Sequence, residues 1–259
     1  MHPLLDPSRR LVIAHRGAAA EAPENTLPSF LRAVEVGADA LELDVHATAD
    51  GVPVVIHDPG LERTTDREGA VAATKLKALG QADAGARFTP DGGRTFPWRG
   101  RGVTIPTLAE VLTATAGVPL IVEVKDVRAA PAVLRALEWQ GARDRCIVAS
   151  FAADALAPFR AGGYHTAATR REVARLLIGS LFGVAPRQPA YQALTVPRKH
   201  KGIPVATRAL VRAAARVGCA THVWTVDDPA RARVLWDRGV AGIITNAPAP
   251  IVADREAAG

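Results

Sequence analysis

Short apolar runs alternate with helical patterns about eight times along this 259-residue chain, which predicts an α/β fold, a (β/α)8 barrel. Two further observations support it. The length suits one barrel domain spanning 1–259, with no low-complexity linker and no internal repeat to divide it. The runner-up, a doubly wound open sheet, would want a G-x-G-x-x-G turn after its first strand, and HRGAAAEAPENT is not one.

The first strand is expected at 11–14, where Leu11 to Ala14 stop abruptly at His15-Arg16-Gly17. A helix follows at 26–36. Leu27, Phe30, Leu31 and Val34 have the i, i+3, i+4, i+7 spacing, Asn25 or Thr26 can cap it, and Gly37 can end it. The strand at 40–45 alternates strictly: Leu41, Leu43 and Val45 face one way, and Glu42, Asp44 and His46 the other. A third apolar run, 53–57, ends in His57-Asp58. The polar, turn-rich stretch 58–105 reads as a small insertion after the second βα region, capping one end of the barrel. Thr107-Leu108-Ala109-Glu110 is a capping box that opens a helix at 107–116. Strands at 119–124, 145–150, 165–169, 191–196, 221–226 and 240–244 then alternate with helices at 129–140, 153–161, 170–180, 206–217 and 228–238.

Composition excludes several classes. Cys146 and Cys219, both in apolar surroundings, make no disulfide framework. The stretch MHPLLDPSRR lacks a hydrophobic signal core and no apolar run approaches 18 residues, so a soluble cytoplasmic protein without stable membrane insertion is expected. The net charge of +6 comes mainly from dispersed arginine. Its densest cluster, Arg198-Lys199-His200-Lys201, has no interleaved aromatics, which argues for a solvated surface over a nucleic-acid site. An acidic or phosphorylated small substrate suits the same charge.

The chemistry lies at the ends of the runs. His15-Arg16, Glu42 with Asp44, His57, and Glu123 with Lys125 end four separate runs, and barrel enzymes carry their chemistry at the C-terminal ends of strands. Unpaired carboxylates on an inward face are costly, and a bound cation would relieve that cost. Glu42, Asp44 and Glu123 offer oxygen only, which suits Mg²⁺ or Ca²⁺ better than Zn²⁺. Arg16 and Lys125 can hold an anion, and His15 and His57 can exchange protons near neutral pH. Metal, cations and a histidine pair together describe hydrolysis of a phosphate ester. Gly17 lets the backbone turn sharply away after the strand or approach the substrate. His46 falls beyond the expected end of the strand and is read as a rim residue or one that supports the site from behind, His222 as barrel interior; His2, His165 and His200 carry no argument.

These residues fall in a known order. His15-Arg16-Gly17, Pro23-Glu24-Asn25-Thr26, Glu42-Leu43-Asp44-Val45, His57-Asp58, Ile105-Pro106-Thr107-Leu108, Glu123-Val124-Lys125 and Val223-Trp224-Thr225-Val226 resemble the glycerophosphodiester phosphodiesterase family. The match is dense over 11–150 and returns over 221–248, and 160–205 matches poorly. Asn246 stands where the family's Thr-Asp-x-Pro has aspartate. The resemblance implies hydrolysis of glycerophosphodiesters to sn-glycerol 3-phosphate and an alcohol. It assigns His15 and His57 as the acid–base pair and Glu42, Asp44 and Glu123 as ligands of one divalent cation. It places Arg16 and Lys125 on the phosphate, Asn25 in the first loop beside the substrate, and Trp224 on the pocket wall. Two alternatives share the fold. A lysophospholipase D-like enzyme would want an apolar rim, for which Phe88, Phe96 and Trp98 are the candidates; a non-catalytic phosphoester-binding barrel would lack a histidine or carboxylate.

Overall fold

The computed structural model describes residues 2–257. Its strands are β1 (Leu11–His15), β2 (Ala40–Ala47), β3 (Pro53–Val55), β4 (Leu120–Val124), β5 (Cys146–Ala149), β6 (His165–Thr166), β7 (Ala193–Pro197), β8 (Lys199–His200), β9 (Ile203–Pro204), β10 (Ala220–Trp224) and β11 (Gly242–Thr245). Its α-helices are α1 (Leu27–Glu35), α2 (Leu76–Leu79), α3 (Leu108–Ala114), α4 (Ala130–Trp139), α5 (Ala153–Ala161), α6 (Arg170–Leu181), α7 (Arg208–Arg216), α8 (Pro229–Trp236) and α9 (Pro248–Ala257).

Eight parallel strands run in the order β6-β5-β4-β2-β1-β11-β10-β7. Short backbone contacts between Thr166–Ala168 and Gln192–Ala193 bring β6 beside β7 and nearly close the barrel. The run at 53–57 is not a barrel strand. Its ordered part, β3, pairs antiparallel with the far end of β2, Val45 opposite Val55, and starts the insertion. The insertion lies between β2 and α3 and has its own small core, including Val54, Ile56, Leu61, Val71, Leu79 and Ile105.

Strand parity sorts the side chains. Leu41, Leu43 and Val45, with Leu120, Val122 and Val124, pack outward against the helices. Leu11, Ile13, Ala40, Ile121, Ile147 and Ile244 point inward and fill the barrel. Leu4 joins this inner cluster from a 3-10 turn at Pro3–Leu5. His222 lies inside as expected, with no exposed surface, and its Nε2 donates to the Leu4 carbonyl at 2.9 Å. Burial pushes this imidazole down to about 4, so it is neutral at physiological pH. Gly242 makes room for the ring, since a Cβ there would stand 2.4 Å from His222 Nδ1.

Capping follows the sequence in one case and departs from it in another. The Thr107–Glu110 box forms in full at α3. Thr26 occupies the cap position of α1, but its hydroxyl donates to the Pro23 carbonyl at 2.5 Å and caps nothing. The last helix, α9, has no counterpart in the sequence reading. Pro248 and Pro250 fall in its first turn, where proline is tolerated, and Ile251 and Val252 are buried. Cys146 and Cys219 are both buried and free, and burial pushes their thiols up to about 12 and about 11. Among the described residues no helix is long and apolar enough to cross a membrane.

Candidate active site

The inward columns of β1, β2 and β4 turn from apolar to charged at their C-terminal ends. His15 is the register partner of Glu42, and Asp44 that of Glu123. Neighbouring parallel strands lie about 4.8 Å apart, so the three carboxylates must meet. One oxygen from each of Glu42, Asp44 and Glu123 lies within 4.8 Å of the others. A cavity of about 160 Å³ opens over them, lined among others by His15, Arg16, His57, Lys125, Phe151 and Trp224.

The first loop explains why β1 ends as it does. Arg16 and Gly17 both have positive φ, 57° and 85°, which folds the chain back over α1. A Cβ on Gly17 would stand 2.4 Å from Ser29 Oγ and 2.6 Å from its backbone carbon. Glycine is therefore required twice, for its conformation and for the close approach of α1. Asn25 returns through another positive φ of 57°, and its amide N–H donates to the Arg16 carbonyl at 2.9 Å.

The charges are arranged around Asp44. Lys125 Nζ bridges Asp44 Oδ1 and Glu123 Oε1, each at 2.8 Å, and Arg16 Nε lies 3.1 Å from Asp44 Oδ2. Burial works against the Asp44 charge, but Lys125 and Arg16 outweigh it and hold the carboxyl below its ordinary range. Burial likewise works against the Lys125 charge, and Asp44 and Glu123 overcome it and raise the ammonium. Glu42 is different: burial, then repulsion from Asp44 and Glu123, pushes it well above the ordinary carboxylate range. A buried carboxyl that resists ionisation beside two further carboxyl groups is what a hard divalent cation would relieve. The oxygen-only donor set fits such an ion.

Each cavity histidine is oriented by a partner. The Nδ1–H of His15 donates to Asn246 Oδ1 at 2.7 Å, and Asn246 in turn donates from Nδ2 to Asp227 Oδ2 at 3.2 Å. An amide oxygen only accepts, so the proton of neutral His15 sits on Nδ1 and Nε2 is left toward Glu42, 3.9 Å away. Burial and then Arg16 lower the His15 pKa. His57 meets Asp58 through Nδ1 at 2.5 Å, and Arg63 clamps the other oxygen of Asp58. Burial opposes the Asp58 charge, but the Arg63 and His57 bonds prevail and hold it at about 2.

Two expected placements change. His46 lies within β2 rather than beyond its end, is 9% exposed, and takes the supporting position, its Nε2 bonding the His57 carbonyl at 3.0 Å. The antiparallel pairing of β3 with β2, which the expected run at 53–57 did not reveal, is what folds His57 over it. Asn25 does not line the main cavity. It is 3% exposed, and its Nδ2 donates to Asp44 Oδ2 at 2.8 Å. Sequence reasoning gave no role to Asp58, Glu24, Arg63 or Asp227. The first three had a signal in their closeness to His57 and Asn25. Asp227 had none, since only the adjacency of β10 and β11 brings it to Asn246.

The model of the glycerophosphoryl diester phosphodiesterase family matches residues 15–249, from the first cavity histidine to the start of α9. The chain belongs to that family. A family member from Caldanaerobacter subterraneus, named glycerophosphodiester phosphodiesterase, is 32% identical over 94% of this chain and 97% of its own length. Another of that name from Bacillus altitudinis is 32% identical over 95% and 98%. Among solved structures, the glycerophosphoryl diester phosphodiesterase domain of a Mycobacterium tuberculosis protein superposes with a TM-score of 0.84 at 25% identity, covering 95% of this chain and 99% of that one. An Oleispira antarctica phosphodiesterase, solved with its product sn-glycerol-3-phosphate, gives 0.77 at 26% identity, covering 95% and 96%.

Proposed function

We propose that this family member hydrolyses glycerophosphodiesters to sn-glycerol 3-phosphate and an alcohol, with Glu42, Asp44 and Glu123 holding one Mg²⁺ or Ca²⁺. The observation that carries the reading is the convergence of three carboxylates, two histidines and two cations on one cavity at the barrel mouth. The product seen in the Oleispira antarctica relative supports the substrate class.

When bound, the cation supplies positive charge to the phosphate oxygens and makes phosphorus a better electrophile. Arg16 and Lys125 hold the phosphate from the cavity wall. Both already touch Asp44, so they also fix a carboxylate in place. Asn25 acts one step back, orienting Asp44 through its amide. Trp224 walls the cavity against the alcohol portions of the substrate.

A phosphodiester has a poor alkoxide leaving group, so the departing oxygen needs a proton and the attacking hydroxyl must lose one. His15 and His57 are set for those tasks. Each presents Nε2 with Nδ1–H committed to an oxygen, Asn246 for His15 and Asp58 for His57. The neutral ring accepts a proton at Nε2 and the protonated ring returns one. Their partners differ in charge. Asp58 orients the His57 ring with a carboxylate, whereas the amide of Asn246 fixes the His15 tautomer without adding charge.

Release of sn-glycerol 3-phosphate from glycerophosphoglycerol and glycerophosphoethanolamine, followed with glycerol-3-phosphate dehydrogenase, tests the assignment. Steady release from both is expected. No release from any glycerophosphodiester, with Mg²⁺ or Ca²⁺ supplied, contradicts it.

A further inference from the structure

The cavity wall is unequal in charge. β1, β2 and β4 contribute its carboxylates. The opposite half, from β5, β6, β7 and β10, contributes no acid: Ser150, Phe151, Ala168, Thr195 and Trp224 line it. Arg170 stands beside that half, and the adjoining hairpin carries three more cations. Arg170 follows Ala168 by two residues, and its guanidinium carbon lies 4.2 Å from the Phe151 ring centroid. Arg198, Lys199 and Lys201 come from the end of β7 and the β8–β9 hairpin. That hairpin is joined to the cavity wall, since Pro197 is the register partner of Trp224 and the Arg198 N–H donates to the Trp224 carbonyl at 3.4 Å. All four are exposed. Among the described residues none of the four is in an ion pair, whereas Arg16 and Lys125 in the cavity wall, and Arg63 beside His57, all are.

Free cations beside a cavity act on the part of the substrate that carries charge. The glycerol half is neutral, and the single charge of the phosphodiester already has Arg16 and Lys125. We propose that Arg170, Arg198, Lys199 and Lys201 form a subsite for a leaving alcohol that bears its own anionic group, a carboxylate or a phosphate monoester. This rests on the hydrolase reading above. A choline leaving group is the poor fit. The aromatic face that would hold a quaternary ammonium, Phe151, already carries the Arg170 guanidinium, and Lys125 Nζ lies 6.0 Å from the same ring. The hairpin cluster read from the sequence as a solvated surface thus gains a position: through Pro197 and Trp224 its backbone adjoins the cavity wall.

Glycerophosphoserine and glycerophosphoethanolamine differ by one carboxylate on the leaving alcohol and make a matched pair. At low ionic strength kcat/KM is expected to favour the serine diester about tenfold, and added salt should shrink that ratio. Arg170→Ala, and separately the triple change Arg198→Ala, Lys199→Ala and Lys201→Ala, should bring the ratio toward one, chiefly through KM for the serine diester. Because the ratio is read within each protein, a general loss of activity cancels. A wild-type ratio of one or less, a preference for glycerophosphocholine, or a ratio unmoved in both variants overturns the subsite while leaving the hydrolase reading intact. No turnover of either diester overturns the hydrolase reading and the subsite with it.

Discussion

His222 should make this barrel sensitive to mild acid. Its ring is fully buried and held at about 4, while in the unfolded chain it titrates near its ordinary value of 6.5. A depressed histidine is neutral in the folded protein where the unfolded chain already binds a proton. Stability is therefore lost as pH falls from 6.5 toward 4 and levels off below that. The gap, at 1.36 kcal/mol per pH unit, comes to roughly 3 kcal/mol, with about 2 kcal/mol of it gone by pH 5. The perturbation is His222→Leu, which keeps the volume beside Gly242 and removes the titration. It also leaves the Leu4 carbonyl without its donor, costing about 1 kcal/mol at pH 7. The assay is urea unfolding of both proteins at several pH values between 7 and 4. Glu42, whose folded pKa is raised, acts with the opposite sign in this range, and His2, lowered to about 4 chiefly by burial, with the same sign, but both groups are present in both proteins, so the difference between the two reports on His222. The variant should be the less stable at pH 7 and the more stable at pH 4. Parallel stability curves for the two proteins would refute the reasoning.

Further outcomes follow from the site. Gly17→Ala puts a Cβ at φ 85° and 2.4 Å from Ser29 Oγ, and should cost about 2–5 kcal/mol in urea unfolding; a loss under about 0.5 kcal/mol would mean the loop yields freely. His15→Ala and His57→Ala should each lower kcat at least about 10²-fold, and the double variant should lose much less than the product of the two. His46→Ala should fall between these and wild type, because it supports the His57 carbonyl without reaching the cavity; near-normal kcat in His57→Ala would show the wrong histidine was assigned. Lys125→Met removes the cation bridging Asp44 and Glu123, so the metal-free protein should unfold at lower urea and recover with Mg²⁺ or Ca²⁺; an unchanged midpoint would deny the repulsion.

Much of this was legible in the sequence, for identifiable reasons. Strict alternation in ELDVH set the parity of β2, and parity alone sends Glu42 and Asp44 inward. Capping-box spacing located α3. What stayed hidden depends on contacts between distant segments. The 53–57 run looks like any buried strand, and nothing local says that it folds back antiparallel on β2. That reversal is what buries His46 beneath the His57 carbonyl. Asn25 sits in a loop, and only the backbone turn at Arg16 and Gly17 aims its amide at Asp44. α9 was obscured by the prolines of its first turn, and the Asp227–Asn246–His15 chain exists only because β10, β11 and β1 are neighbours.

The central claim is that Glu42, Asp44 and Glu123 hold a divalent cation on which hydrolysis depends. The direct measurement is the rate of sn-glycerol 3-phosphate release by metal-stripped protein in chelator, then after adding excess Mg²⁺ or Ca²⁺, for wild type and Glu42→Gln. The account predicts no turnover in chelator, recovery on adding a cation for wild type, and little recovery for Glu42→Gln. Full turnover by the metal-stripped protein in chelator would contradict it.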